Sequence, residues 1–305
     1  VYIDDYMNNV VKKHENTREE KEVDRIKHVD VLNAQTGPIF LAYQSQNSIN
    51  QVVEDIKKEE PLYHFTALDG VTHIVWRVSD NDRLSTIKEA FADMDRIYIA
   101  DGHHRAASAV KVGLKRRKEN PEYSGEEPFN YFLSVLFPHD QLEILPYNRV
   151  VKDLNGLSKE EFLAKIEEDF VVSYLGKKVY TPARKCTFGM YLDGNWYALE
   201  AKEKILTTQD PVASLDVSLL QDYLLGPILG INDPRVDQRI DFIGGIRGNG
   251  ELERRVAVDM SVAFSMYPTS INELFQVSDV GKLMPPKSTW FEPKLRSGLF
   301  IHKLS

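Results

Sequence analysis

One segment constrains this chain more than any other. Arg96-Ile97-Tyr98-Ile99-Ala100, a short apolar run, enters Asp101-Gly102 and passes directly into His103 to Lys118, a stretch of strongly helical composition. β-Branched and aromatic residues in so short a run predict a buried strand. The first turn of a helix carries backbone N–H groups with no partner inside the helix, so a strand that turns straight into one gathers donors at a point and favours an anion there. Gly102 permits close backbone approach or positive φ, His103 and His104 add ring donors, and Arg105 offers a planar fork for phosphate oxygens. Ala106, Ala107 and Ala109 let the helix pack closely on the sheet behind it. Two plainer readings stand beside this one. Asp101 is a common N-cap type whose neighbours could pair with nearby acids. A metal site is disfavoured, because adjacent residues at a helix start diverge and no further His, Asp or Glu run has ligand spacing.

The rest of the chain alternates strand and helix signals, which predicts an α/β fold with a mixed sheet. Strands are expected at Val1 to Tyr6, Pro38 to Tyr43, Val71 to Val78, Phe129 to Phe137 with Leu142 to Leu145 as its hairpin partner, Ile240 to Ile243 and Val256 to Met260. Phe188 to Tyr191 and Trp196 to Leu199 flank Asp193-Gly194-Asn195, a hairpin turn signal. Helices are expected at Asn16 to Asp30 with Thr17 as N-cap, Ser48 to Glu59, Asp82 to Met94, Ser214 to Leu225 and Ile271 to Asp279. Composition shifts near Asp153-Leu154-Asn155-Gly156, and Ser158-Lys159-Glu160-Glu161 opens a further helix as a capping box. The expected division is residues 1–150 as a phosphate-binding core and 151–305 as a C-terminal α+β portion completing the pocket.

Bulk properties narrow the function classes. The 305 residues are 42% hydrophobic and carry a formal net charge of −8, which gives no general attraction to nucleic acid or to an acidic membrane. Cys186 is the only cysteine, so no internal disulfide forms and a cytoplasmic protein is expected. No apolar run approaches the ~18 residues of a membrane span, and Asp4 and Asp5 are foreign to a signal-peptide start. The start lacks Met and alternates like the middle of a strand, so a processed or truncated form of a longer protein is expected.

Tyr98-Ile99-Ala100-Asp101-Gly102-His103-His104-Arg105 closely resembles the signature of a prokaryotic domain-of-unknown-function family. The resemblance extends to His14-Glu15-Asn16-Thr17, Asp24-Arg25-Ile26-Lys27-His28, Asn33-Ala34-Gln35-Thr36-Gly37-Pro38, Tyr147-Asn148-Arg149-Val150 and Pro286-Lys287-Ser288-Thr289-Trp290-Phe291-Glu292-Pro293-Lys294. Members of that family carry a further segment ahead of this start. The Gly-His-His-Arg element also looks like the phosphate-binding Gly-x-x-Arg turn of the ParB and sulfiredoxin superfamily, whose members bind ATP, ADP or CTP and include kinases of free serine. That resemblance implies a ParB/sulfiredoxin-like core, a nucleotide cofactor, ATP or ADP, and phosphoryl transfer to a small hydroxyl substrate, with free L-serine as the best single candidate.

Phosphoryl transfer needs a phosphate cradle, charge neutralisation and a group that orients or deprotonates the acceptor hydroxyl. Gly102, His103, His104 and Arg105 form the candidate cradle. Glu15, among polar residues ahead of a helix, is the candidate base, and it reads equally well as a solvated carboxylate. Asp101 is the candidate Mg²⁺ ligand, since Mg²⁺ takes one or two carboxylates plus phosphate oxygens. Asp101 and His103 complete the candidate catalytic set. Lys287, Ser288 and Thr289 offer further donors on a loop stiffened by Pro286, Trp290 and Pro293, with Lys294 and Arg296 adding positive charge. Arg18, Arg25, Lys27 and His28 do the same earlier in the chain, and most such charges are simply solvated. Where sulfiredoxins carry a cysteine nucleophile in the turn this chain has histidine, and no helix-turn-helix is evident, so thiol chemistry and DNA partitioning are disfavoured. A nucleotide-binding regulatory or interaction module is the alternative. Homo-oligomerisation is left open.

Overall fold

The computed structural model describes Val1 to Ser305. Its residues fall into two compact units: Val1–Lys12, Glu19–Leu142 and Leu295–Ser305 make the first, Lys13–Arg18 and Glu143–Lys294 the second. The chain therefore passes between units four times, with no single cut at residue 150. Mixed strand and helix content makes this an α+β protein. No helix is long and apolar enough to cross a membrane.

The first unit is built on a four-stranded mixed sheet in the order Val11–Lys12, Ile97–Asp101, Ile39–Tyr43, Ser134–Pro138. Val11–Lys12 runs parallel to Ile97–Asp101, and Ile39–Tyr43 runs antiparallel to it and parallel to Ser134–Pro138. All five residues of Ile39–Tyr43, and Ile97 to Ala100, are buried, which is why both segments read as unbroken apolar runs. The helix His103–Glu119 buries Ala106, Ala107, Ala109 and Val110, small side chains that allow it to lie close to the core of Ile3, Leu41, Ile99 and Phe132. Along this helix runs Glu19–Leu32, tied to it by ion pairs of Lys111 with the buried Glu22 and of Lys115 and Arg116 with Asp30. The C-terminal segment rejoins this unit: His302–Lys303 pairs with Ala34–Gln35, Leu304 packs with Val112 and Phe129, and Gly298 N–H donates to Thr36 C=O at 2.7 Å.

The second unit carries a six-stranded antiparallel sheet in the order Phe170–Gly176, Asn195–Ala201, Thr187–Leu192, Val262–Ser265, Tyr147–Val151, Ile240–Gly244. The hairpin at Asp193-Gly194 and the capping box at Ser158 form as their sequences predict. A core of Val150, Trp196, Ile243, Leu252 and Ala263 lies under the helix Gly248–Val258.

Several local expectations change in the folded chain. The opening residues form a helix, Ile3–Met7, rather than a strand: Asp4 and Asp5 occupy its first turn, where the dipole favours acids, and Ile3 is fully buried. The helix expected from Asn16 begins at Glu19, leaving Thr17 ahead of it, because Lys13–Arg18 belongs to the second unit. Glu143–Leu145 takes Trp290–Glu292 as its antiparallel partner instead of the preceding apolar strand. Phe129 to Phe137 splits into a 3-10 turn, Pro128–Asn130, and the strand Ser134–Pro138, since Pro128 suits a helical first position. Val256 to Val258 end a helix supported by Glu251–Arg254 and Arg255–Asp259 pairs, and the strand lies later, at Val262–Ser265. A hairpin of Tyr63–Thr66 with Thr72–Val75 closes at Asp69-Gly70, a turn dipeptide that the sequence reading passed over.

Candidate functional site

The site of the first unit lies where Ile97–Asp101 runs into His103–Glu119. Gly102 is the N-cap, at φ 103° and ψ 29°, with no side-chain cap. Ala106 N–H closes the first turn on Gly102 C=O at 2.9 Å. In the strand ladder Phe40 is opposite Asp101 while Leu41 is opposite Ile99, so the strand carries one extra residue, a bulge that re-aims Asp101 at the helix start. The first turn holds no acid, unlike the helices that begin at Ile3, Glu19, Asn81, Lys159, Asp216 and Ile271. Two histidines and an arginine stand at the positive end of the helix dipole, an arrangement that an external anion would neutralise.

Arg105 sits between two bare backbone faces. Antiparallel pairing places the start of Ile39–Tyr43 beside the end of Ile97–Asp101, which brings Gly37 and Gly102 to the same end of these two central strands. A Cβ at Gly102 would lie 2.9 Å from Arg105 Nε and Nη2, and one at Gly37 would lie 3.5 Å from Arg105 Nη1 and 3.1 Å from Ser297 Oγ. Gly102 therefore excludes a side chain if Arg105 is to stay where it is, whereas a side chain at Gly37 would meet Arg105 at ordinary contact distance and press on Ser297. The Arg105 side chain is 29% exposed, and its one ion contact, with Asp101 Oδ1, is 3.9 Å long. Burial lowers its pKa; Asp101 opposes that shift and the neighbouring Arg25 adds to it. A guanidinium with five N–H donors, one long carboxylate contact and a second guanidinium nearby is an anion site in electrostatic terms. The Asp101 carboxylate, 46% exposed, is accessible to a cation that also touches the anion. No group of three or more His, Cys, Asp or Glu side chains is placed to hold a metal ion by itself. His103 is 4% exposed and His104 partly exposed, so folding separates two residues that the sequence treats alike.

Sequence reasoning missed Gly37, which stands beside Arg105, and Ser297, whose hydroxyl stands beside Gly37. Asn33 to Gly37 has turn composition, but the nearness of Gly37 to Arg105 follows from strand pairing across more than sixty positions of chain. Ser297 reaches the same point because the C-terminal segment returns to this unit. Arg296, counted above among free positive charges, is committed to Asp69 and to His73 Nε2, the latter at 3.3 Å.

The remaining candidates belong to the second unit. Glu15 is exposed in a segment fixed by Met284 N–H donating to His14 C=O at 2.8 Å, with His14 buried. Lys287 has φ 56° and is exposed, Ser288 is buried with its hydroxyl donating to Pro285 C=O at 2.6 Å, and Thr269 Oγ1 donates to Ser288 C=O at 3.2 Å. The structure thus gathers Asp101 to Arg105 in one unit, and Glu15 and Lys287 to Thr289 in the other.

Residues 1–218 match the profile described as protein of unknown function, DUF1015. The chain belongs to the DUF1015 family. No functionally curated protein matches it in sequence. Among solved structures, SbnI with a C-terminal truncation, from Staphylococcus aureus, aligns at a TM-score of 0.51 and 11% identity over 98% of this chain and 84% of that one, a likeness of fold. Free serine kinase in complex with AMP aligns at 0.45 and 14% identity over 97% of this chain and 89% of that one. A mutant of free serine kinase in complex with ADP gives 0.45 and 14% over 97% and 90%.

Proposed function

We propose that this DUF1015 protein is a nucleotide-dependent phosphotransferase acting on a small hydroxyl substrate, with free L-serine the first acceptor to test. The observation that carries the reading is Arg105: a largely covered guanidinium with a single 3.9 Å ion contact, set between two glycine faces at a helix start. The likeness of Gly102 to Arg105 to the Gly-x-x-Arg phosphate turn of the ParB and sulfiredoxin superfamily supports the same reading. Gly102, His103, His104 and Arg105 hold the phosphate of ATP or ADP. Asp101 is the proposed Mg²⁺ ligand, and the ion, when bound, neutralises charge on the transferring group. His103 is proposed as a fixed donor at the reacting phosphate, Glu15 as the acceptor of the substrate hydroxyl proton, and Lys287, Ser288 and Thr289 as further donors.

A thermal-shift titration with ATP and ADP in Mg²⁺, followed by a phosphate-transfer assay against L-serine and other small alcohols, tests these roles. Arg105→Ala is expected to lose the nucleotide-induced shift, and Glu15→Gln to keep it while losing turnover. Equal nucleotide binding by Arg105→Ala and the parent sinks the cradle assignment. Stabilisation with no transfer to any acceptor points instead to a regulatory nucleotide-binding module.

A further inference from the structure

A second arginine, in the other unit, lacks a counter-charge far more completely. Arg149 lies in the Tyr147–Val151 strand, opposite Phe242 on one side and Phe264 on the other, and is 3% exposed. Its guanidinium donates to Tyr147 C=O and, at 3.2 Å, to Lys287 C=O, and stacks at 5.4 Å over the Phe242 ring. No carboxylate pairs with it. Burial pushes its pKa down to about 9, which leaves it charged at neutral pH. A buried cation satisfied only by carbonyl dipoles costs folding free energy that a bound anion would recover.

The carbonyl that Arg149 grips belongs to a turn with its own unmet donors. Lys287 is left-handed, and the N–H groups of Lys287, Ser288 and Thr289 make no hydrogen bond within the chain. Successive free N–H groups around a left-handed residue form an anion-binding concavity. Its carbonyls are held by Arg149 at Lys287 and by Thr269 at Ser288. The Lys287 ammonium stands 5.5 Å from the ring of Tyr147, the same residue whose carbonyl Arg149 holds, and that ring meets Trp290 edge-on at 5.4 Å. Glu292 alongside is engaged by Trp290 Nε1 at 2.8 Å.

We propose that Arg149 and the Lys287 to Thr289 turn form an oxyanion site of the second unit that takes a phosphate or carboxylate group. The site stands whatever occupies Arg105. Titrating the 305-residue Arg105→Ala chain separately with inorganic phosphate and with acetate isolates it from the first unit and shows which group it takes. Expected is a saturable rise in melting temperature with at least one anion, weakened at least tenfold in affinity by Lys287→Ala and by Arg149→Met. Without anion, Arg149→Met should melt no lower than its parent, because an apolar side chain of similar length replaces an uncompensated buried charge. The proposal is overturned if neither anion shifts the melting temperature, if Lys287→Ala binds as its parent does, or if Arg149→Met melts lower with anion affinity unchanged, the mark of a purely structural arginine. If Arg149→Met does not fold, the Lys287→Ala result decides alone.

Discussion

The two ends of the helix His103–Glu119 treat arginine in opposite ways. Arg117, near its C-terminus, is saturated: a two-pronged ion pair with Asp4 at 2.9 and 2.7 Å, Nε on Asn130 Oδ1 at 2.6 Å, and the rings of Tyr2 and Tyr123 within 5.5 and 5.0 Å. Arg105, in the first turn, has one ion contact at 3.9 Å. Both are largely covered, with side-chain exposures of 12% and 29%. Burial alone therefore does not mark a functional arginine; the supply of partners does. Arg117 ties the opening helix to the unit's core, while the Arg105 guanidinium has only its long ion contact with Asp101.

The largest test of this contrast is Gly102→Ala. The residue would be held at φ 103° with its new Cβ 2.9 Å from Arg105, a strain of about 1–3 kcal/mol. Melting temperature and nucleotide affinity should fall together in calorimetry and titration. A variant that keeps both would show that Arg105 does not depend on the bare glycine face. Next in size is Arg117→Ala, which removes the cation partner of Asp4 and should cost about 1–2 kcal/mol in urea unfolding, discounted for partial exposure. Nucleotide affinity should not change, and a parallel loss there would erase the distinction between the two ends. The smallest effect is with pH. The hydrogen bond from Arg117 holds the Asp4 carboxyl below its usual pKa of 3.8. Stability from that pair is present above the unfolded value and is lost as pH falls through the depressed folded value. In acid titrations below about pH 4 the parent should therefore lose more stability than Arg117→Ala; equal losses would mean the pair adds nothing to folding.

How much was legible beforehand follows the range of the interactions. The strand Ile97–Asp101 and its helix, the capping box at Ser158, and the hairpin at Asp193-Gly194 are set by residues within a few positions of one another, and local chemistry suffices to read them. The opening segment misled because Val1 to Tyr6 satisfies a strand pattern by chance. Ile3 in the core and Asp4 on Arg117 add to the first-turn acids in selecting the helix. Val256 to Met260 misled in the same way, its β-branched composition overridden by ion pairs along a helix face.

At the feature that constrains the chain most, the sequence by itself determined that a buried strand turns through Asp101-Gly102 into a helix led by two histidines and an arginine, and hence that an anion is favoured there. Tertiary structure decided the rest. It set Gly37 against Arg105 and Ser297 against Gly37, sent His103 into the interior, committed Arg296 to Asp69, and left Arg149 in the other unit buried without a carboxylate. Helix and turn propensities act between neighbours, whereas a guanidinium's partners depend on strand register and chain return, which no local pattern encodes.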